Sequence, residues 1–434
     1  MRCRSRCHTM KNKKLSKKII FIGVLLMLAS AAVFSQQAPK QEKLLNGLKL
    51  LMWSDAKADK VTVKIRIHAG SAFDPQGKEG VMQMLADNIF PNTASREFFT
   101  EDLGGGLEVV TTYDYIQINA SSTAESEKFL SMLETLSSAV ANPNIDKETT
   151  AKLRTALLEK VRALESDPAY VADQAVAKRL LGAFPYGRPQ MGTSESVQKI
   201  DFADLIDAKQ RFLTADNATV TITGNFDKSL GFKAARRYFG SWLKADKKVP
   251  STFRQPDDVL PGTLTVSSPK PEVTAIRFAV RGTSRGASDF AASQVYSNVL
   301  EARLKTNVSA AHTNNMFVRN EARALPGVII IGFAAGKNEI GTGNGKIDAS
   351  NLIAKAMAEP VTDAEFQTAR SAAASVWRAI DMDQFWLDAD TYKIVSVDAD
   401  RLVFEKVTLA DVQAYASKIQ KSSIASILLN TPAN

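Results

Sequence analysis

The feature that most limits what this chain can fold into is that it closes the same way twice. Residues 201–225 read DFADLIDAKQRFLTADNATVTITGN, and residues 408–432 read TLADVQAYASKIQKSSIASILLNTP. Each is a helix, a short turn and an apolar strand. Upstream of each, a proline stop precedes an acidic cap and a long helix. These are NIDKETTAKLRTALLEKV after Asn142-Pro143 and VTDAEFQTARSAAASVW after Glu359-Pro360. Two tandem copies of a unit of roughly 200 residues explain this order better than chance.

Within the first copy, Val61, Val63, Ile65 and Ile67 alternate with Thr62, Lys64, Arg66 and His68. That period of two predicts a strand buried on one face. On its polar face, His68 reads as a solvated side chain. A strand with an Asn46-Gly47 turn comes before it, and a helix over Glu79–Phe90 follows. The turn Gly104-Gly105-Gly106 leads into strands at Leu107–Thr112 and Tyr115–Ser121. The second copy predicts strands at Val273–Arg281 and Val328–Phe333, with helices at Asp289–Lys305 and Ala349–Met357. The expected class is α+β: two homologous sandwich units, each a mixed or antiparallel sheet with helices on one face. Their bounds are 41–243 and 263–434, joined by the polar linker 244–262 with Pro250, Pro256 and Pro261.

The formal charge of +9 points to nucleic acid only until its location is considered. Eight Lys and Arg fall in residues 1–35, without Asp or Glu, ahead of the apolar run IIFIGVLLMLASAAVF. This is the pattern of a secretory signal peptide, and the run is short of the about 20 residues of a spanning helix. Its removal would leave a charge near +1, so nothing favours a nucleic-acid partner. Contact with a membrane is expected only through that segment before cleavage. Cys3 and Cys7 would leave with it, so neither disulfide nor thiolate chemistry is expected. The expected location is outside the cytoplasm, in the periplasm of a Gram-negative bacterium.

Several segments together resemble the insulinase-type, or pitrilysin-like, metallopeptidases. They are LLNGLKLLM, HAGSAFDPQGKEGVMQMLADNIFPNT, DLGGGLEVVTTYDYIQINA, the long helix through Glu159, GAFPYGRPQMGTSESVQKI and ATVTITGNFD. The resemblance runs from about Leu44 to the C-terminus and implies half of a clamshell-shaped peptidase. Members carry an inverted zinc motif, H-x-x-E-H, on the helix after this glycine-rich turn. Two histidines four apart lie about 6 Å apart along one helix face and reach one Zn²⁺. The intervening glutamate acts as base on the metal-bound water.

Laid on this chain, the first His position falls on Gln83, the base on Ala86 and the second His on Asp87. The remaining ligand position falls on Glu159. A neutral amide, a methyl group and two carboxylates do not suit zinc. The only histidines after the export segment are His68 and His312, so no imidazole pair can replace them. The resemblance also implies an Arg and a Tyr that grip substrate, whose places fall on Lys305 and His312. It further implies an edge strand that pairs with extended peptides, at Val109, Val110 and Thr111.

These residues favour a zinc-less subunit that helps form a peptide-binding chamber beside a catalytic, zinc-bearing partner. No cofactor is expected in this chain itself. One alternative is a homodimer that holds peptide or unfolded polypeptide without cutting it. Another is an active metalloendopeptidase with a non-standard metal site, weakened by the missing base at Ala86.

Overall fold

The computed structural model of the chain describes residues 38–245, 253, 255–309, 311–337, 339–341 and 346–430. The expected export segment, with Cys3 and Cys7, lies outside the described residues, as do linker residues 246–252 and 254.

The first sheet comprises β1 (Lys40–Lys43), β2 (Lys49–Ser54), β3 (Lys60–Ile67), β4 (Gly106–Thr111), β5 (Ile116–Thr123) and β6 (Ala218–Gly224). The second comprises β7 (Thr263–Ser267), β8 (Val273–Arg281), β9 (Met316–Glu321), β10 (Val328–Gly336) and β11 (Ala425–Asn430). Their spatial orders are β1-β2-β6-β3-β5-β4 and β7-β11-β8-β10-β9. Dropping β1 makes the two orders superimposable. In each sheet the parallel pair also falls at the same place, β2 with β6 and β7 with β11. The duplication is therefore one of topology as well as of sequence pattern.

The longer helices of the first half are α1 (Val81–Ile89), α2 (Ser126–Ala141), α3 (Lys147–Glu165), α4 (Pro168–Leu181), α5 (Phe202–Phe212) and α6 (Lys228–Phe239). Those of the second are α7 (Phe290–Thr306), α8 (Ala349–Ala358), α9 (Asp363–Arg378), α10 (Met382–Tyr392) and α11 (Leu409–Gln420). The repeated closing unit uses repeated cap chemistry. Asp201 and Asp204 form a reciprocal capping box on α5, and Thr408 and Asp411 form one on α11. Asp146 accepts from the Thr149 N–H at 2.8 Å and so starts α3 directly after the proline stop.

Val61, Val63, Ile65 and Ile67 are fully buried against α1 and α2, as their alternation predicts. Ile276, Phe278 and Val280 do the same in the second half. The opposite faces of the two sheets are also covered, each by a helix of the other half. Helix α4 lays Ala172, Val176, Leu180 and Leu181 on Ala275, Ala279, Ile427 and Leu429 of the second sheet. Helix α10 brings Asp383, Asp388 and Asp390 over the polar face of β3 and its neighbours.

Each crossing is pinned by a buried arginine on the central strand. Arg66 on β3 donates to Asp388 Oδ1 at 2.6 Å and lies 4.0 Å from the Tyr115 ring centroid. Arg277 on β8 donates to Asp173 Oδ1 at 2.6 Å and lies 5.1 Å from the Phe317 ring centroid. The two guanidinium groups therefore have the same job in the two copies. Lys64 adds a bond to Asp383 at 2.9 Å and Lys49 one to Asp390 at 2.8 Å.

His68 is not a solvated side chain. Its Nδ1 lies 3.0 Å from Thr391 Oγ1 and its Nε2 lies 3.0 Å from Thr219 Oγ1. Burial lowers its pKa to about 3, with Asp390 pulling the other way, so the ring is neutral. The error arises because alternation marks which face is polar but cannot say that a second polar face will cover it.

Candidate functional site

The glycine-rich turn before α1 is built to hold that helix in one place. A side chain at Gly70 would bring its Cβ within 2.1 Å of the Thr112 carbonyl oxygen. Gly80 has φ +107° and sits against the Met191 carbonyl. Between them, Asp74 accepts from the Gly80 N–H at 2.8 Å and the Met82 N–H at 2.7 Å. It therefore satisfies the first donors of α1 from outside the usual cap position. Arg188 donates to the carbonyls of Asp74 at 2.9 Å and Ala72 at 3.0 Å. Burial pushes the Asp74 carboxyl up to about 7, against the helix N–H groups and Arg188.

On α1 itself, Gln83 Nε2 donates to Asp87 Oδ1 at 3.0 Å. The two side chains one turn apart are thus bonded to each other. Ala86 is fully buried and its methyl belongs to the hydrophobic core. Burial lifts the Asp87 carboxyl above its usual range, opposed by Lys160, the Gln83 bond and Arg96. Glu159 is exposed on α3. Among the described residues, no three or more His, Cys, Asp or Glu side chains are grouped to hold a metal ion. The donors on α1 do not fit zinc: Gln83 turns its N–H₂ toward Asp87, and position 86 offers only a methyl group.

Beside α1 runs β4, the last strand of its sheet, paired on one side with β5. A Cβ on Gly105 would meet the Ser121 carbonyl at 1.8 Å, so the turn into β4 requires glycine there. Val109 and Val110 are half-buried on this edge and Thr111 is buried. The Thr111 carbonyl already accepts from Gln190 Nε2 at 2.6 Å.

Lys305 and His312 lie in the second half. Lys305 pairs with Glu301 at 2.6 Å on α7, and the His312 ring packs edge-on against Phe333 at 5.8 Å. Lys305 lines a cleft of about 710 Å³ that also includes Asn298, Asn320 and Trp377. By topology α7, α9 and β9 correspond to α1, α3 and β4, so this cleft occupies the place in the second copy that the α1 site occupies in the first. It was not anticipated from the sequence. Its signal was Gln294, Asn298 and Glu301, a polar stripe spaced four and three along α7.

The arrangement defines a class: a duplicated α+β chain whose first copy carries a short helix, an edge strand and a long helix around one polar face. Residues 49–194 match the insulinase family (peptidase family M16) and residues 199–373 match the family's inactive domain, peptidase M16 inactive domain. The chain belongs to the M16 insulinase family.

An uncharacterised zinc protease of Rickettsia bellii is 24% identical over 212 residues, covering 47% of this chain and 50% of the relative. The chain thus spans about half the length of that curated relative. A peptidase M16 inactive domain from Pseudomonas fluorescens has the same fold, with TM-score 0.78 and 16% identity over 92% of this chain and 98% of the other. The first half of the periplasmic protease PqqL of Escherichia coli matches with TM-score 0.67 and 14% identity over 91% and 92%. A chain of complex III2 from Candida albicans matches with TM-score 0.69 and 16% identity over 90% and 95%. These structural likenesses establish the two-sheet α+β fold.

Proposed function

We propose that this chain is a non-catalytic subunit of an exported M16 peptidase, forming part of a peptide-binding chamber with a catalytic partner chain. The observation that carries the reading is the bond from Gln83 to Asp87 over the buried methyl of Ala86. A peptidase of this family needs a metal-bound water and a base at that face, and these side chains supply neither. The scaffold around them is intact, including the edge strand with Val109 and Val110. The partner supplies the zinc, and this chain supplies wall and edge. The basic and apolar N-terminal segment supports the reading of an exported complex. The shared fold of a chain of complex III2 from Candida albicans is in keeping with a role within a complex.

The test is native mass spectrometry of the tagged chain isolated from its own host, followed by a peptide-cleavage assay. The expected result is a one-to-one complex with a chain bearing H-x-x-E-H, and cleavage only by the pair. A lone monomer or a homodimer would sink the partner-subunit reading and favour a dimer that holds peptides uncut. Chelator-sensitive cleavage by the pure chain would overturn both.

A further inference from the structure

Between the two halves lies a cavity of about 280 Å³ that touches no residue of α1 and shares Glu321 with the larger cleft. Its polar wall comes from α4, from β9 and from the residues just after β9. Three buried polar atoms along this wall have no hydrogen-bond partner: Tyr170 Oη, Gln174 Oε1 and Arg323 Nη1. Buried groups of this kind are rare, and each costs about 1–3 kcal/mol if left unmade. Three of them around one small cavity are the mark of a prepared surface.

The donors are held rigidly. Arg323 gives its other terminal nitrogen to Glu321, and its guanidinium lies 3.9 Å from the Tyr113 ring centroid and 4.9 Å from that of Tyr186. Its free Nη1 is therefore fixed in direction. Tyr170 and Gln174 are four apart on α4, so they share one helix face. Burial pushes the Tyr170 hydroxyl up to about 12, so it is a neutral donor at physiological pH. The charges of the lining balance: Arg319 and Arg323 face Asp173 and Glu321. Leu164, Met191, Val328 and Ile330 supply apolar wall. Arg319, with 44% of its side chain exposed, marks where the cavity meets solvent.

We propose that this cavity binds a small zwitterion, an apolar α-amino acid or a dipeptide. The carboxylate accepts from Arg323 Nη1 and Tyr170 Oη, the ammonium group donates to Gln174 Oε1, and the side chain meets the apolar wall. A balanced charge set suits a ligand that carries both signs. The volume lies just under the ~300 Å³ at which small-molecule sites usually begin, which limits the ligand to one or two residues. The site needs neither a metal nor a partner chain, so it stands or falls separately from the subunit reading.

The experiment is titration calorimetry of the intact chain with leucine, leucyl-leucine and N-acetyl-leucinamide, repeated on Tyr170→Phe and Gln174→Leu. Leucine or leucyl-leucine should bind, and whichever binds more tightly identifies the source. The capped amide, which has neither charge, should not bind. Each variant should weaken binding about tenfold, the loss of one hydrogen bond. Tyr170→Phe should leave the melting temperature of the free chain unchanged or raise it, because it removes an unpartnered hydroxyl. Equal binding of the capped amide, or no heat with any of the three at millimolar concentration, overturns the proposal. So does a variant that lowers the melting temperature and leaves binding unchanged, because the atoms would then serve the fold alone.

Discussion

At the scale of single residues, two buried titratable groups pull stability in opposite directions with pH. His68 has a pKa of about 3 in the fold against 6.5 unfolded. The unfolded chain therefore takes up a proton that the folded chain refuses, and stability falls as pH drops below 6.5 toward 3. Asp74 has a pKa of about 7 against 3.8 unfolded. Here the folded chain holds the proton more tightly, so this group's contribution falls as pH rises from about 4 through 7. Urea unfolding from pH 4 to 8 should show both. His68→Gln should flatten the acid arm, and Asp74→Asn should flatten the arm approaching neutrality. Asp74→Asn should also cost about 1–2 kcal/mol, because an amide has one acceptor oxygen for two helix N–H groups. A pH profile unchanged by either substitution would refute the assignment. Asp74 was visible in the sequence only as part of a family-like turn. Its partner N–H groups lie six and eight residues on, which no local cap rule covers.

Elements show where sequence reading succeeded and where it stopped. The alternation of β3 and the Asp146 cap of α3 were legible, because period and cap chemistry are local; on α9 the expected acidic cap is instead Thr362, in a capping box with Glu365, and Asp363 is the first helical residue. Strand β9 and helix α10 were not legible. The segment MFVRNE has no clean alternation, and β9 exists because it pairs with β10 along its whole length. The segment MDQFWLDADTY carries three aspartates that would pass for a solvated face. Those aspartates meet Lys49, Lys64 and Arg66 of the first sheet. Charged faces predict exposure only when each is read alone. The Arg66–Asp388 pair gives a direct check. Arg66→Met should cost about 3–5 kcal/mol by stranding a buried carboxylate, and Arg66→Met with Asp388→Leu should cost clearly less. A double-mutant cycle in urea measures the difference. Equal costs would mean that the pair does not hold α10 to the sheet.

For the whole molecule, the candidate site was more legible than its setting. Gln83, Ala86 and Asp87 on α1 and Glu159 on α3 were named from the family resemblance, but the bond that ties Gln83 to Asp87 is a matter of rotamers. The smaller cavity was beyond reach because its walls come from segments more than a hundred residues apart, such as Tyr170 and Arg323. The crossing helices also bear on whether either half can stand alone. A fragment of residues 40–244 would expose the apolar face of α4, with Ala172, Val176, Leu180 and Leu181, and leave Arg66 without Asp388. It should bind an apolar dye and aggregate, whereas the mixture with residues 255–434 should recover a soluble complex. A monomeric, dye-negative fragment on a sizing column would contradict this.

The paired arginines have a consequence for how such a chain changes over time. After a duplication, two copies are ordinarily free to diverge, one keeping the original task while the other drifts. Here each copy lends a helix to cover the other's sheet, and each central strand offers an arginine to a carboxylate encoded in the opposite half. A substitution in one copy is therefore judged by the packing of the other. The face of α1 that carries Gln83, Ala86 and Asp87 lies outside this exchange, so its side chains can change without disturbing it, whereas the exchanged helices are bound to the packing of the opposite half. The side chains of that one face and the shape of the whole fold therefore answer to separate constraints within one gene.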